Sequence, residues 1–204
     1  MRPINRRQAM ALASGISVCA LSGGAWAQQT QVLVEVSKYL NQLVTVQGRF
    51  TQVNSDGSRS TGQYYLARPG RIRFEYDGGN ALVMASGVNI AVFDRKGNPP
   101  VQRFPLNQTP LRFLLAERID LTQQNLARDT GSRDGFTSVV LQDPRSPRDG
   151  SMTLVLRNSP PALTQWTVTD ASGQQTTVIL ESIERPASMS PTLFNIESEA
   201  GNWN

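Results

Sequence analysis

An alternation of apolar and polar residues with a period of two dominates the chain from residue 46 onward and restricts it to a β-rich fold. The clearest run extends from Arg71 to Asp77, in which Ile72, Phe74 and Tyr76 fall on one side and charged residues on the other. Because successive side chains of a strand point to opposite faces of a sheet, this run predicts a strand with one apolar face. Five such runs up to residue 94, separated by short turns, indicate a meandering antiparallel sheet.

The alternation continues in the C-terminal half, so we predict about ten strands within a single domain. An irregular stretch from residue 97 and a polar loop at 143–150, interpreted as a solvated turn, interrupt the pattern. The predicted strands cover residues 46–53, 60–67, 71–77, 81–85, 89–94, 126–130, 136–142, 152–157, 163–170 and 176–183, with a last short strand at 193–196.

Two segments have helical periodicity instead. Residues 30–44 carry apolar residues at helical spacing and predict a first helix. Residues 109–116 predict a short helix, with Thr109 as its N-cap and Pro110 at its first position. A sheet of about ten strands curls, and its inner face then needs a cover that these helices can supply.

The first 27 residues have the organisation of a secretory signal peptide. Three arginines within the first seven residues precede a short run of small apolar residues, and Ala25-Trp26-Ala27 forms a cleavage site. The apolar run spans about 13 residues, whereas a membrane-spanning helix needs about 20. We therefore predict a signal peptide at 1–27, a mature domain at 28–204 and a periplasmic location. The general and the twin-arginine secretion routes both remain open.

Composition argues against most catalytic chemistries. The chain has no histidine, and its one cysteine, Cys19, lies in the predicted signal peptide. This excludes Ser-His-Asp and Cys-His catalysis, histidine-based zinc sites and disulfides in the mature domain. No serine-nucleophile motif, phosphate loop or dinucleotide fingerprint occurs in the sequence. We expect no enzymatic activity, no cofactor and no metal.

The charge balance argues against nucleic acid as a partner. The chain has 20 basic and 16 acidic residues; removing residues 1–27 removes three arginines and no acids, which leaves 17 and 16. A nucleic-acid-binding domain is expected to keep a basic face. The alternating charges of Arg71, Arg73 and Glu75 are therefore interpreted as a solvated strand face.

Two features have a structural and a functional interpretation that the residues alone leave open. Arg68 precedes Pro69 at a predicted corner between strands, and its five donors suit a latch that holds several carbonyls of a lid; an ordinary surface arginine is the alternative. Leu111, Leu114 and Leu115 share one face of the short helix, which fits either core packing or contact with a ligand.

The order and spacing of several short motifs resemble the LolA family of lipoprotein carriers. The similarity extends over nearly the whole mature domain and is weaker in its C-terminal half. The matching segments are Phe50-Thr51-Gln52, Gly62 to Leu66, Arg68 to Tyr76, Leu82-Val83 with Ser86-Gly87, Phe93-Asp94, and Thr109-Pro110-Leu111 with Leu114-Leu115.

The resemblance implies an incomplete antiparallel β-barrel of about eleven strands, covered by an N-terminal helix and short mid-chain helices over a hydrophobic cavity. It implies that Arg68 bonds to the lid and holds the empty form closed. Phe74 stands where a tryptophan is common in the family. The expected acyl-chain cavity residues are Phe50, Tyr65, Ile72, Phe74, Tyr76, Phe93, Leu111, Leu114 and Leu115.

In function, the resemblance implies a monomeric carrier that moves triacylated lipoproteins through the periplasm. Its expected partners are an inner-membrane ABC transporter of the LolCDE type and an outer-membrane receptor of the LolB type. The alternative is a periplasmic sensor that binds lipid or lipoprotein and reports through protein–protein contact, as related half-barrel domains do in envelope-stress regulators. Those regulators usually carry a second C-terminal domain, whereas this chain ends soon after Phe194, which favours the carrier.

Overall fold

The computed structural model describes residues 23–97, 100–123 and 125–203. Most of the predicted signal peptide, residues 1–22, therefore lies outside the described residues. Helix α1 (Gly23–Gln42) begins within the predicted signal segment and ends close to the predicted end of the first helix. Among the described residues, no helix combines the length and the apolar character needed to cross a bilayer.

Within the described residues, eleven strands form one open antiparallel sheet, which confirms the predicted fold class. Their order across the sheet is β6-β5-β4-β3-β2-β1-β11-β10-β9-β8-β7. The strands are β1 (Thr45–Val53), β2 (Arg59–Ala67), β3 (Arg71–Tyr76), β4 (Ala81–Ser86), β5 (Asn89–Asp94), β6 (Val101–Pro105), β7 (Ala127–Arg133), β8 (Phe136–Leu141), β9 (Ser151–Asn158), β10 (Pro161–Thr169) and β11 (Gln175–Leu180).

The central pair of strands joins the two ends of the domain. β1 pairs with β11, with Phe50 opposite Leu180. Each half of the sheet is a meander of sequence neighbours, so the outermost strands β6 and β7 are consecutive along the chain. Residues 106–126, which we call the lid segment, connect these two edges. The lid segment contains a 3-10 helix (Leu106–Gln108) and helix α2 (Arg112–Leu115).

Two predicted elements are wrong. Residues 193–196 do not form a strand: they end a 3-10 helix (Pro191–Phe194) and begin helix α3 (Ile196–Trp203). The Oγ atom of Ser190 accepts a hydrogen bond from the backbone N–H of Thr192, which starts the 3-10 turn, and two acidic residues in the first turn favour α3. Strand β6 lies in the stretch predicted to be irregular.

Apolar side chains occupy both faces of the sheet. We call the face covered by α1 and the lid segment the inner face; it carries the main core, including Phe50, Ile72 and Leu154. On the outer face, α3 covers a smaller cluster formed by Leu82, Met84, Ala91, Phe93 and Ile196. The cross-strand register assigns the faces, because residues directly opposite each other share a face.

Candidate functional site

Arg68 joins three elements at one corner of the sheet. It lies between β2 and β3, and its side chain is only 6% exposed. Its Nε donates to the carbonyl oxygen of Leu43 at 3.0 Å, and its Nη2 donates to that of Leu40 at 2.7 Å. Its Nη1 donates to the carbonyl oxygen of Ala116 at 3.2 Å. One guanidinium therefore connects the sheet corner to the ends of α1 and α2.

The position of this arginine follows from the chemistry of helix ends. The last carbonyls of a helix have no partner within the helix and carry the negative end of its dipole. Leu40 lies in the last turn of α1, Leu43 directly follows this helix, and Ala116 directly follows α2. Burial lowers the pKa of the Arg68 guanidinium from its ordinary value, and an arginine nevertheless stays charged in proteins. Its burial rules out the interpretation as a surface arginine.

A second set of hydrogen bonds ties the lid segment to α1, and sequence reasoning missed it. The side-chain amide of Asn41 donates to the carbonyl oxygen of Ile119 at 2.7 Å and accepts from the N–H of the same residue at 3.0 Å. The Oγ of Ser37 accepts from the N–H of Leu121 at 3.0 Å. Polar residues that interrupt the apolar face of α1 are the sequence signal that points to these contacts.

Helix α2 is shorter than predicted and begins differently. Leu111 occupies the N-cap position without a side-chain capping bond, whereas Thr109 donates its hydroxyl to the carbonyl oxygen of Leu106 at 2.9 Å. The prediction of Thr109 as N-cap is therefore wrong. Leu114 and Leu115 are buried in the main core together with Leu111.

Arg112 attaches the start of α2 to the loop between β8 and β9. Its guanidinium contacts the carboxylate of Asp149 at 2.9 Å and that of Asp143 at 3.2 Å. It also donates to the carbonyl oxygen of Asn107. The loop at 143–150 was predicted to be a solvated turn, and this part of it is instead a docking point for the lid segment.

The environment of Asp143 favours its ionised form. The backbone N–H of Arg145 donates to this carboxylate at 2.8 Å. That bond is the largest cause that holds the pKa of Asp143 below its ordinary value, and the positive charge of Arg112 acts in the same direction. Asp143 therefore remains a charged acceptor for Arg112 at neutral pH.

Seven of the predicted cavity residues meet at the inner face: six belong to the main core, and Tyr76 packs against it. Phe50 is the centre of an aromatic group, with ring centroids 5.1 Å from Phe74 and 5.3 Å from Tyr76. The hydroxyl of Tyr76 donates to Gln52 at 2.6 Å, and burial raises the pKa of Tyr76 to about 12. The seven are Phe50, Ile72, Phe74, Tyr76, Leu111, Leu114 and Leu115.

The other two predicted cavity residues face the opposite way, which is a correction. Tyr65 lies opposite Arg73 on the outer face, and its hydroxyl donates to the side chain of Gln63 at 3.0 Å. Phe93 lies beneath α3, with its ring centroid 5.5 Å from that of Trp203. Strand β5 is apolar on both sides, so alternation alone did not assign the face of Phe93.

Two aromatic residues of the inner face were not predicted. Tyr64 lies directly opposite Phe74, is 1% exposed and donates its hydroxyl to the carbonyl oxygen of Ser182 at 2.9 Å. Trp166 lies 6.2 Å from the ring of Phe74. Burial raises the pKa of Tyr64, which keeps the hydroxyl protonated as a donor. In β1, β2 and β3 the even-numbered residues face inward, as Phe50 and Phe74 do. This alternation is the signal that identifies Tyr64.

Arg73 is not on a solvated face, contrary to prediction. It is 9% exposed, because the C-terminal segment packs over it. Its guanidinium contacts Glu75 at 2.6 Å and Glu199 of α3 at 3.4 Å, and donates to the carbonyl oxygen of Leu193 at 3.2 Å. The outer face of β3 is thus an attachment site for the C-terminal segment.

The inner site can bind apolar ligands beneath a cover that hydrogen bonds hold in place. Within the described ranges, no group of three histidine, cysteine or acidic side chains is placed to hold a metal ion. Aromatic and aliphatic side chains form the floor, and α1 with the lid segment forms the roof. The polar groups at its margins, Arg68 and Asn41, bond to backbone atoms of the roof.

The chain is similar in sequence to known lipoprotein carrier proteins. The family model described as "Outer membrane lipoprotein carrier protein LolA" matches residues 41–197. The "Outer-membrane lipoprotein carrier protein" of Coxiella burnetii (strain CbuK_Q154) is 27% identical over 198 residues, which cover 92% of both chains. That of Alkalilimnicola ehrlichii is 24% identical over 189 residues, 86% of this chain and 84% of the relative.

A solved structure has the same fold. It is described as a putative outer membrane lipoprotein-sorting protein domain from Vibrio parahaemolyticus, and it superimposes with a TM-score of 0.50 at 8% identity. The match covers 84% of this chain and 98% of that chain. The family match extends over far more than half of the sequence, from the end of α1 into α3. The chain therefore belongs to the LolA family of outer membrane lipoprotein carrier proteins.

Proposed function

We propose that this protein is a periplasmic carrier that shields the acyl chains of lipoproteins between the inner face of its sheet and the cover formed by α1 and the lid segment. Proteins of this family are binding chaperones and not enzymes. The observation that carries the proposal is the Arg68 junction, since one buried side chain holds both parts of the cover over an apolar floor.

The energetics of acyl chains support this role. Each methylene group exposed to water costs about 0.8 kcal/mol, so a triacylated protein cannot cross an aqueous compartment unaided. In the closed form the leucines of α1 and α2 pack on the aromatic floor. Acyl chains that enter replace these leucines as the apolar contacts of the floor. The net cost of opening is then the loss of the polar bonds at the margin.

The direction of transport requires no chemical step in the carrier. A ligand moves to the partner that binds it more tightly, so delivery proceeds downhill when the receptor has the higher affinity. We propose that the segment at 1–27 directs export to the periplasm. There the protein receives cargo from a LolCDE-type ABC transporter and delivers it to a LolB-type receptor in the outer membrane.

The test is recovery of cargo from living cells. The full-length chain is expressed in a bacterium, recovered from the periplasm under mild conditions, and its bound lipoproteins are identified by mass spectrometry. Arg68→Leu is compared with the wild type, and Arg59→Leu serves as a matched control because Arg59 is an exposed arginine at the opposite end of β2.

We expect intact triacylated lipoproteins on the wild type and on Arg59→Leu, with more retained on Arg68→Leu because release requires reclosure of the cover. The carrier function is contradicted when none of the three forms holds an acylated protein. Recovery of cleaved acyl chains would instead point to a hydrolase.

A further inference from the structure

A groove of about 600 Å³ opens between the C-terminal half of α1, from Gln31 to Gln42, and the ends of β8, β9 and β10. Its apolar wall consists of Val32, Val36 and Tyr39 from α1 with Leu156 and Pro161 from the sheet. Three of these, Val36, Tyr39 and Leu156, also belong to the main core, so the wall is continuous with the inner face. The volume is in the range of small-molecule binding sites.

Three cationic side chains line the same groove. Lys38 lies on α1, Arg157 near the end of β9 and Arg185 after β11, and all three are exposed. In the part of the chain that the structure describes, none of them forms an ion pair with a carboxylate. Arg157 donates a 3.3 Å hydrogen bond to the carbonyl oxygen of Pro160. These cations therefore keep donors for an external anion.

The negative groups nearby do not balance them. Glu35 lines the groove and accepts a hydrogen bond from the amide of Gln31 at 3.0 Å. Three positive side chains and one negative side chain give the groove a charge of +2. An adjoining cavity of about 370 Å³ shares Arg157 and Arg185 with it and adds Glu181, which accepts a hydrogen bond from Thr51. Arg157 and Arg185 thus line both the groove and the adjoining cavity.

The register places this groove at the Arg68 end of the sheet. β1 begins there, with Thr45 opposite Ala67 of β2. The turn between β9 and β10, where Asn158 lies opposite Pro161, is at the same end because all strands are antiparallel. The C-terminal half of α1 therefore borders the groove, and the Arg68 junction holds the end of the same helix.

We propose that this groove binds a monomeric anionic phospholipid, with its acyl chains along the apolar wall and its phosphate held by Arg157, Arg185 and Lys38. Guanidinium groups bind phosphate oxygens through paired, charge-assisted hydrogen bonds. A soluble inorganic anion would leave the apolar wall without a contact, and an uncharged lipid would leave the three cations without one. The groove contains none of the seven inner-face residues expected to contact lipoprotein acyl chains, so this ligand is additional to the proposed cargo.

The test uses water-soluble phospholipids below the concentration at which they form micelles. Dihexanoyl phosphatidylglycerol, dihexanoyl phosphatidylcholine and inorganic phosphate are titrated separately into the purified periplasmic protein by calorimetry at low salt. The charge variant is Arg157→Gln with Arg185→Gln. Its matched control, Arg128→Gln with Arg133→Gln, removes two exposed arginines from β7 and changes the net charge equally. Val32→Asn tests the apolar wall.

We expect the wild type to bind the anionic lipid about tenfold more tightly than the zwitterionic lipid, with inorganic phosphate binding far more weakly than either. The charge variant loses this preference and the control keeps it. Val32→Asn weakens binding of both lipids alike. Equal affinity of the wild type for the two lipids overturns the proposal, as does an equal loss in both double variants. Inorganic phosphate that binds as tightly as the anionic lipid also overturns it.

Discussion

The guanidinium of Arg68 and the carbonyl oxygen of Ala116 form a 3.2 Å hydrogen bond between the β2–β3 corner and the residue that ends α2. The other two side-chain bonds of Arg68 go to α1. The lid segment has separate bonds to α1 near residues 119–121. Arg112 holds the start of α2, and the N–H of Gly70 donates to the carbonyl oxygen of Leu115 at 2.9 Å. Loss of the Arg68 contact should therefore loosen the C-terminal end of α2 while the rest of the lid segment stays attached.

Substitution of Arg68 by leucine tests this local release. We expect faster hydrogen exchange at residues 112–116, stronger binding of a hydrophobic dye and a fall of about 2–4 kcal/mol in the free energy of unfolding. The fall arises because three carbonyl oxygens lose a charged donor. Arg59→Leu should leave the stability within about 0.5 kcal/mol of the wild type. Uniform exchange across the chain in Arg68→Leu would argue against a local latch.

The contact between Arg112 and Asp143 predicts a pH-dependent stability difference. The pKa of Asp143 in the folded protein lies below its ordinary value of 3.8. Its contribution is therefore complete above that value and is lost as the pH falls through the lowered folded pKa. The wild type should be more stable than Asp143→Asn at neutral pH, and the difference should shrink below about pH 4. Urea unfolding of both proteins from neutral to acidic pH measures it, and a constant difference would contradict the prediction.

The two faces of the sheet predict different consequences for two buried phenylalanines. Phe74→Leu and Phe93→Leu should each reduce stability by about 1 kcal/mol, because both rings are buried and the change in volume is small. Only Phe74→Leu should alter the affinity for a fluorescent fatty acid, since Phe74 lies on the inner face and Phe93 lies beneath α3. Equal changes in affinity would show that binding does not use the inner face selectively.

The close approach of Gly48 in β1 to Ser182, just after β11, predicts that this position requires glycine. A Cβ atom at this position would lie 2.1 Å from the carbonyl oxygen of Ser182, the atom that accepts the hydroxyl of Tyr64. Gly48→Ala should therefore lower the free energy of unfolding by about 1–3 kcal/mol. Gly201→Ala is the control: it meets no atom within 4 Å and lies in α3, where alanine should add about 0.5–1 kcal/mol. Thermal unfolding of both variants checks the opposite signs.

Local patterns predicted most of the sheet, because alternation reports directly which residues face a core. They failed where a strand has no polar side or little apolar content. Strand β5 carries apolar residues on both faces, so the orientation of Phe93 depends on α3, a distant element. Strand β6 is an edge strand that follows Pro99 and Pro100 and buries little, so its residues lack the alternating signal.

The candidate site was predictable only in part for a similar reason. Arg68 was identifiable because it precedes a strand corner and matches a family motif. Its three acceptors are backbone carbonyls, which leave no trace in the residue sequence. Arg73 was expected to be exposed because its burial depends on a tail more than a hundred residues later in the chain, with Leu193 as its acceptor.

The position of the lid segment between the two unpaired edges of the sheet has a mechanical consequence. Widening the gap between β6 and β7 breaks no bond of the β ladder, since these strands are not neighbours within the described sheet. It stretches residues 106–126, because this segment is joined to β6 at one end and to β7 at the other. The width of the gap and the tension in this connection therefore rise together. The contour length of the lid segment thus limits the size of any ligand that the open sheet can accommodate.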